Sequence, residues 1–155
     1  MPAPPIMTSI MSMPNPVLRL PSLRPVPIFR GLSKAALLQV ARKAVEVNHP
    51  ADTVVVREGD PGDSLCVIVD GAVEVRKDDR VIARLTAGDF FGEISLIDGE
   101  PRSATVVTVE DSVLLKLSSA AFDSLLDDTY FARATLCSLA KRFREVLAAH
   151  GAQDV

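Results

Sequence analysis

The feature that most constrains this chain is a train of short β-branched runs recurring at about ten-residue intervals. Val45 and Val47 alternate with Glu46 and Asn48, and Val54, Val55 and Val56 run together. Residues 65–69 form a further run, and Val73 and Val75 alternate with Glu74 and Arg76. Val81, Ile82 and Leu85 follow, then residues 104–109 and 113–117. Turn chemistry separates them. Glu58-Gly59-Asp60-Pro61-Gly62-Asp63 breaks one pair of runs, Asp70-Gly71 reads as a hairpin, Asp78-Asp79 turns another, and Gly88-Asp89 closes the run before Phe90. Many short strands punctuated in this way predict a sandwich, jelly roll or barrel rather than a parallel α/β sheet. Val69, Val81 and Leu85 are expected to line its interior.

The period changes at both ends of the train. Ser33 can cap a helix over 34–44 whose apolar face is Leu37, Leu38, Val40 and Ala41. Ile28, Phe29 and Leu32 precede it as a docking segment. After the strands, residues 119–126 read as a short helix capped by Ser118 or Ser119. A longer helix over 129–149 sets Ala132, Leu136, Leu139, Phe143 and Val146 at steps of 4, 3, 4 and 3, which gives one continuous apolar stripe. The expected fold class is therefore mainly β with flanking helices (α+β): an eight-stranded β-roll with one N-terminal and two C-terminal helices.

Proline divides the chain. Eight of its 11 prolines fall in residues 1–27, a segment with Arg19 and Arg24 but no acid. Proline fixes φ and removes donors, so this stretch is expected to be a disordered or loosely docked arm without regular helix or strand. It lacks the basic and apolar blocks of a secretory signal. The expected domain spans 28–151, with a tail over 152–155. A chain of 155 residues that is 48% hydrophobic can bury a single core. A net charge of −3 argues against a nucleic-acid surface, and no apolar run reaches membrane-spanning length. Cys66 and Cys137 are isolated, and His49 and His150 lie far apart, so neither a disulfide framework nor a metal centre is expected. A cupin-type enzyme would need clustered histidines, and a hydrolase would need a placed nucleophile. No catalytic residue and no cofactor are expected, and the placement is cytoplasmic.

One stretch carries chemistry: Phe91-Gly92-Glu93-Ile94-Ser95-Leu96-Ile97-Asp98-Gly99-Glu100-Pro101-Arg102-Ser103-Ala104. Gly92 lets backbone approach a ligand closely. Residues 93–97 can make about one helical turn whose leading N–H groups attract an anion. Asp98-Gly99 and Pro101 end the turn. Arg102 then returns with a planar, permanently charged fork suited to phosphate, and Ser103 adds a hydroxyl. Glu93 can accept from a sugar hydroxyl. Taken alone, Glu93 and Arg102 read more readily as a local ion pair, with Gly92 only a turn; the complete ordered string in an all-β setting reverses that preference.

The ordered string closely resembles the phosphate-binding cassette of cyclic nucleotide-binding domains, the sensor modules of protein kinase A regulatory subunits, catabolite activator proteins and cyclic nucleotide-gated channels. Gly59, Gly62 and Gly71 also match that family's turn glycines, and the resemblance spans about residues 28–150. It implies that Glu93, helped by the Gly92 amide, binds the ribose 2′-hydroxyl and that Arg102 pairs with the cyclic phosphate. It implies further phosphate donors at the Ser95 and Ser103 amides, with Ile94 and Ala104 completing the cassette. The family closes its site with the last helix, for which Arg142, Arg144, Leu147 and His150 are the candidates to cover the base. The implied ligand is a cyclic nucleotide; Ser103 does not settle the base, and cAMP is expected ahead of cGMP. Implied partners are the nucleotide and, through the last helix, a second copy or an effector. Three alternatives stand beside this reading: a ligand-free homologue of the same fold, a sensor piece of a larger transcription factor or channel, and the cupin enzyme.

Overall fold

The computed structural model describes residues 15–149. Eight strands are present, the expected number, although β6 falls on none of the seven runs read from the sequence: β1 (Val45–His49), β2 (Val54–Val56), β3 (Ser64–Asp70), β4 (Ala72–Lys77), β5 (Arg80–Thr86), β6 (Phe90–Phe91), β7 (Thr105–Thr108) and β8 (Ser112–Ser118). They form two four-stranded sheets, ordered β1-β8-β3-β6 and β2-β7-β4-β5, with every pairing antiparallel. This is the expected roll.

Alternation along β3 and β8 explains the layering. Leu65, Val67, Leu115 and Leu117 face the helices, whereas Cys66, Ile68 and Leu114 face the second sheet. The first sheet is thus covered on both sides, which is why residues 65–69 read as an unbroken apolar run. Val73, Phe91 and Val106 complete the layer between the sheets, with Val75 and Leu85 packed on it. Leu85 therefore lines the roll as expected. Val69 belongs to the other face of β3 and packs toward the helices. Val81 is 55% exposed, because the β4–β5 hairpin runs past the edge of the core.

The turns sort by what they join. Asp78 and Asp79 both take positive φ, as a two-residue hairpin between paired strands requires. Asp70-Gly71 is not a hairpin. It carries the chain from the first sheet to the second, and Gly71 has φ +100° with Ser112 Oγ only 2.2 Å from where a Cβ would stand. A sharp corner and a hairpin use the same dipeptide, so sequence could not separate them.

Helices cover the outer face of the first sheet. In α2 (Lys34–Lys43), Ser33 Oγ accepts from the Ala36 amide, and Leu37, Val40 and Ala41 are buried. In α4 (Ser119–Leu125), Ser118 caps in the same way and Phe122 is buried. The long helix α5 (Thr129–Ala149) has the expected bounds. Phe131 meets Phe122 edge to face, with ring centroids 5.7 Å apart. Asp128 joins the two ends of the helical layer: one carboxylate oxygen accepts from the Phe131 amide and the other from the Ser33 amide. The apolar stripe of α5 faces outward, with Leu136 64%, Phe143 57% and Val146 51% exposed. The buried positions, Phe131 and Thr135, lie on an adjacent face.

Within the expected arm, residues 1–14 lie outside the described residues. Residues 15–27 are ordered against the body and differ from expectation. Pro16–Arg19 forms a 3₁₀ turn and Leu20–Leu23 (α1) one helical turn, both against α2. Proline sits at the first positions of each, where its missing N–H costs nothing. Leu23 is fully buried, and the Arg24 guanidinium donates to the Leu32 carbonyl at 2.6 Å.

Candidate functional site

The site is built where the roll's sheets part. β6 ends at Phe91, and Gly92 follows with φ +97°, a conformation that favours glycine. That turn starts α3 (Glu93–Asp98), a single short helix that ends at Gly99 with φ +73°. The chain then reaches Arg102 through an exposed Pro101.

Arg102 is 6% exposed. Its guanidinium donates to the Gly92 carbonyl at 3.2 Å, the Ser64 carbonyl at 3.0 Å and Ser64 Oγ at 3.3 Å. Among the described residues, Nε has no partner and no carboxylate lies within ion-pair distance. The hydrogen bonds of Arg102 go to neutral oxygens, and Glu93, the acid whose charge it feels, stands beyond ion-pair distance, so its desolvation is only partly offset. The site is tightly packed: a Cβ at Gly92 would stand 2.6 Å from Arg102, and one at Gly62 2.2 Å from Ser95 and 3.3 Å from Arg102.

Glu93 is fully buried and is not paired with Arg102, so the simple local ion pair is not what this chain builds. Its Oε1 accepts from Arg142 of α5, while Oε2 has no partner among the described residues. Burial pushes its carboxyl above the usual glutamate range, and the nearby Arg142 charge pulls it partly back. The other arm of Arg142 donates to the Phe90 carbonyl, and its guanidinium lies over the Phe90 ring, 5.2 Å from the centroid.

The structure thus brings together Gly92, Glu93, Ser95 and Arg102, with Ser95 and Ala104 buried. Ile94 is 43% exposed. The side chain of Ser103 faces solvent, and its carbonyl accepts from Lys77 at 3.2 Å. Of the candidates to cover a base, Arg142 is committed to Glu93 and Phe90 instead. Arg144 is exposed, Leu147 is half-buried, and His150 lies outside the described residues. Sequence reasoning missed Ser64 and the Phe90 carbonyl. Ser64 acts largely through its backbone, which leaves no signal in residue type.

The Cyclic nucleotide-binding domain family matches residues 46–129, more than half of the chain. The chain belongs to that family. As a cyclic nucleotide-binding domain it is 42% identical over 100 residues to a cyclic nucleotide-gated potassium channel of Rhizobium etli, covering 64% of this chain and 28% of the channel. It is 33% identical over 111 residues to a cAMP-dependent protein kinase regulatory subunit of Dictyostelium discoideum, covering 66% of this chain and 34% of that subunit. The domain therefore spans about a third or less of the length of these two relatives. A solved structure described as "Sp-2Cl-cAMPS bound to PKAR CBD2" shares the fold, with a TM-score of 0.75 at 24% identity over 91% of this chain and 94% of that one.

Proposed function

We propose that this domain is a non-catalytic sensor of cAMP, working in the cytoplasm and signalling through α5. The observation that carries the reading is Arg102, a buried cation that has no carboxylate partner among the described residues and sits in a tight turn of backbone. A cyclic phosphate supplies the missing charge, and the fork of Arg102 matches its oxygens. The Gly92, Ser95 and Ser103 amides and the first turn of α3 surround the same anion, with Ile94 and Ala104 at its margins. Glu93 offers Oε2 to the ribose 2′-hydroxyl. The Rhizobium and Dictyostelium relatives, named for cyclic nucleotides and cAMP, support the ligand class.

Signalling follows as a population shift. Ligand capture on α3 changes how firmly α5 is held, and the outward stripe of Leu136, Leu139, Phe143 and Val146 changes partner. That partner is a second copy or an effector. Ser103 leaves a hydroxyl at the mouth of the site, which suits either purine, so cAMP rests on the relatives rather than on this side chain.

Calorimetric titration tests the reading. Wild-type protein should bind cAMP more tightly than cGMP, and Arg102→Ala should weaken cAMP by at least about 1.5–3 kcal/mol, the scale of a hydrogen bond to a charged group. Absence of binding by folded wild-type protein sinks the sensor reading. A tighter complex with cGMP overturns the choice of base.

A further inference from the structure

We infer that the C-terminal end of α2 and the 3₁₀ turn beside it form a docking surface for an anionic membrane face, separate from the nucleotide site. Charge is divided unevenly along the chain. Residues 1–45 carry six basic side chains and no acid, net +6, whereas residues 46–155 carry 11 basic and 20 acidic ones, net −9. A basic block joined to an acidic body points to an anionic partner. Folding leaves the block unneutralised. Among the described residues, Arg24, Arg30, Lys34, Arg42 and Lys43 have no carboxylate within ion-pair distance. Arg24 donates to the Leu32 carbonyl and Arg30 to the Pro25 carbonyl, which engages N–H groups without cancelling charge.

The fold concentrates this charge at one end of α2. At the start of the helix the Ser33 amide donates to Asp128, so acid flanks that end. In the last turn Arg42 and Lys43 are both exposed. The Arg19 guanidinium donates to the Ala41 carbonyl, which ties the turn Pro16–Arg19 to the same end. Exposed apolar side chains therefore stand beside the cations: Val17 and Leu18 on the turn, and Val45 two positions after Lys43. Residues 1–14, outside the described residues, join the body at this turn. Their sequence holds Ile6, Met7, Ile10, Met11 and Met13 and no charged side chain. Cations bordered by apolar groups suit a lipid interface, where headgroups meet the charge and the apolar groups enter the acyl boundary. An acidic protein face would answer the cations alone; the uncharged apolar stretch that joins them is what favours lipid.

Co-sedimentation of the full chain with lipid vesicles tests this. Vesicles of phosphatidylcholine with about a quarter phosphatidylserine should bind the protein at least about tenfold more tightly than phosphatidylcholine alone, and about 0.5 M salt should release it. Arg42→Gln and Lys43→Gln should each weaken that binding about fivefold, the scale of one basic side chain near an anionic surface. Val17→Ser with Leu18→Ser should weaken it by about tenfold or more. Arg80→Gln with Arg84→Gln, exposed cations on β5 of the second sheet, should leave it unchanged. All six side chains are exposed, so each variant should keep the wild-type circular dichroism spectrum. Failure of the wild type to bind the anionic vesicles overturns the inference, as does equal binding to both vesicle types. An equal loss in the Arg80/Arg84 variant overturns it too, because attraction is then not local to α2. Salt-sensitive self-association in place of vesicle binding, abolished by Arg42→Gln, assigns the surface to the acidic body of a second copy and overturns the membrane reading. None of these outcomes touches the cAMP reading, which stands or falls by the calorimetry.

Discussion

Single residues here are constrained by neighbours rather than by type. Gly92 needs its positive φ, and it also needs to lack a Cβ, since the space is taken by Arg102 and the Ser64 carbonyl. Gly92→Ala should therefore disturb the buried guanidinium and weaken cAMP at least tenfold by calorimetry, an effect of about 1.4 kcal/mol. Glu93 gives a pH dependence of defined sign. Its folded carboxyl titrates above the ordinary 4.5, mainly because of burial. Just above that value the folded protein still holds a proton that the unfolded chain has lost. On this group's account stability falls as pH rises through that window, and it is regained on acidification. Melting temperatures measured upward from about pH 4.5 should show a smaller slope in Glu93→Gln. An identical slope would locate the dependence elsewhere.

At the scale of elements, the caps and bounds of α2, α4 and α5 were legible because Ser33 and Ser118 precede clear helical periods. Which face of α5 packs was not. The strongest apolar stripe points outward, and the helix is held instead by Phe131, Thr135 and Arg142, which share one helical face but are too mixed in polarity to read as an apolar stripe. Phe131→Ala should cost about 3–5 kcal/mol in denaturant unfolding, because it removes a buried ring from the Phe122 contact. Phe143→Ser, on the exposed stripe, should change stability by less than about 0.5 kcal/mol. It should instead reduce self-association, or capture of an effector, as read by sedimentation. Cassette residues were legible from their order, since Gly92, Glu93 and Arg102 are close in sequence. The Glu93–Arg142 contact was not, because nothing in a sequence shows which of the cations on α5 faces inward.

For the whole molecule, strand spacing was enough to give the roll, seven of its eight strands and its flanking helices; the two-residue β6 is too short to leave a run. It did not give the assignment of strands to sheets, because Asp70-Gly71 can turn a hairpin or cross between layers. Nor did proline content reveal that Leu23 is buried, since proline opens short helical turns as readily as it breaks long helices. Removing residues through Pro27 should therefore lower the melting temperature measurably, by uncovering the face of α2 that Leu20 and Leu23 protect.

The double covering of the first sheet bears on the two cysteine thiols. Cys66 is enclosed between layers, and burial raises its thiol above the ordinary range, whereas Cys137 stands exposed on α5 five positions before Arg142. A thiol reagent should modify one cysteine in the native protein and two after denaturation. The native chain is consequently wired as its own gauge. Its exposed thiol rides on the helix proposed to move, and its buried thiol lies between the sheets. A fluorophore on Cys137 would follow each binding event with no cysteine added and none removed.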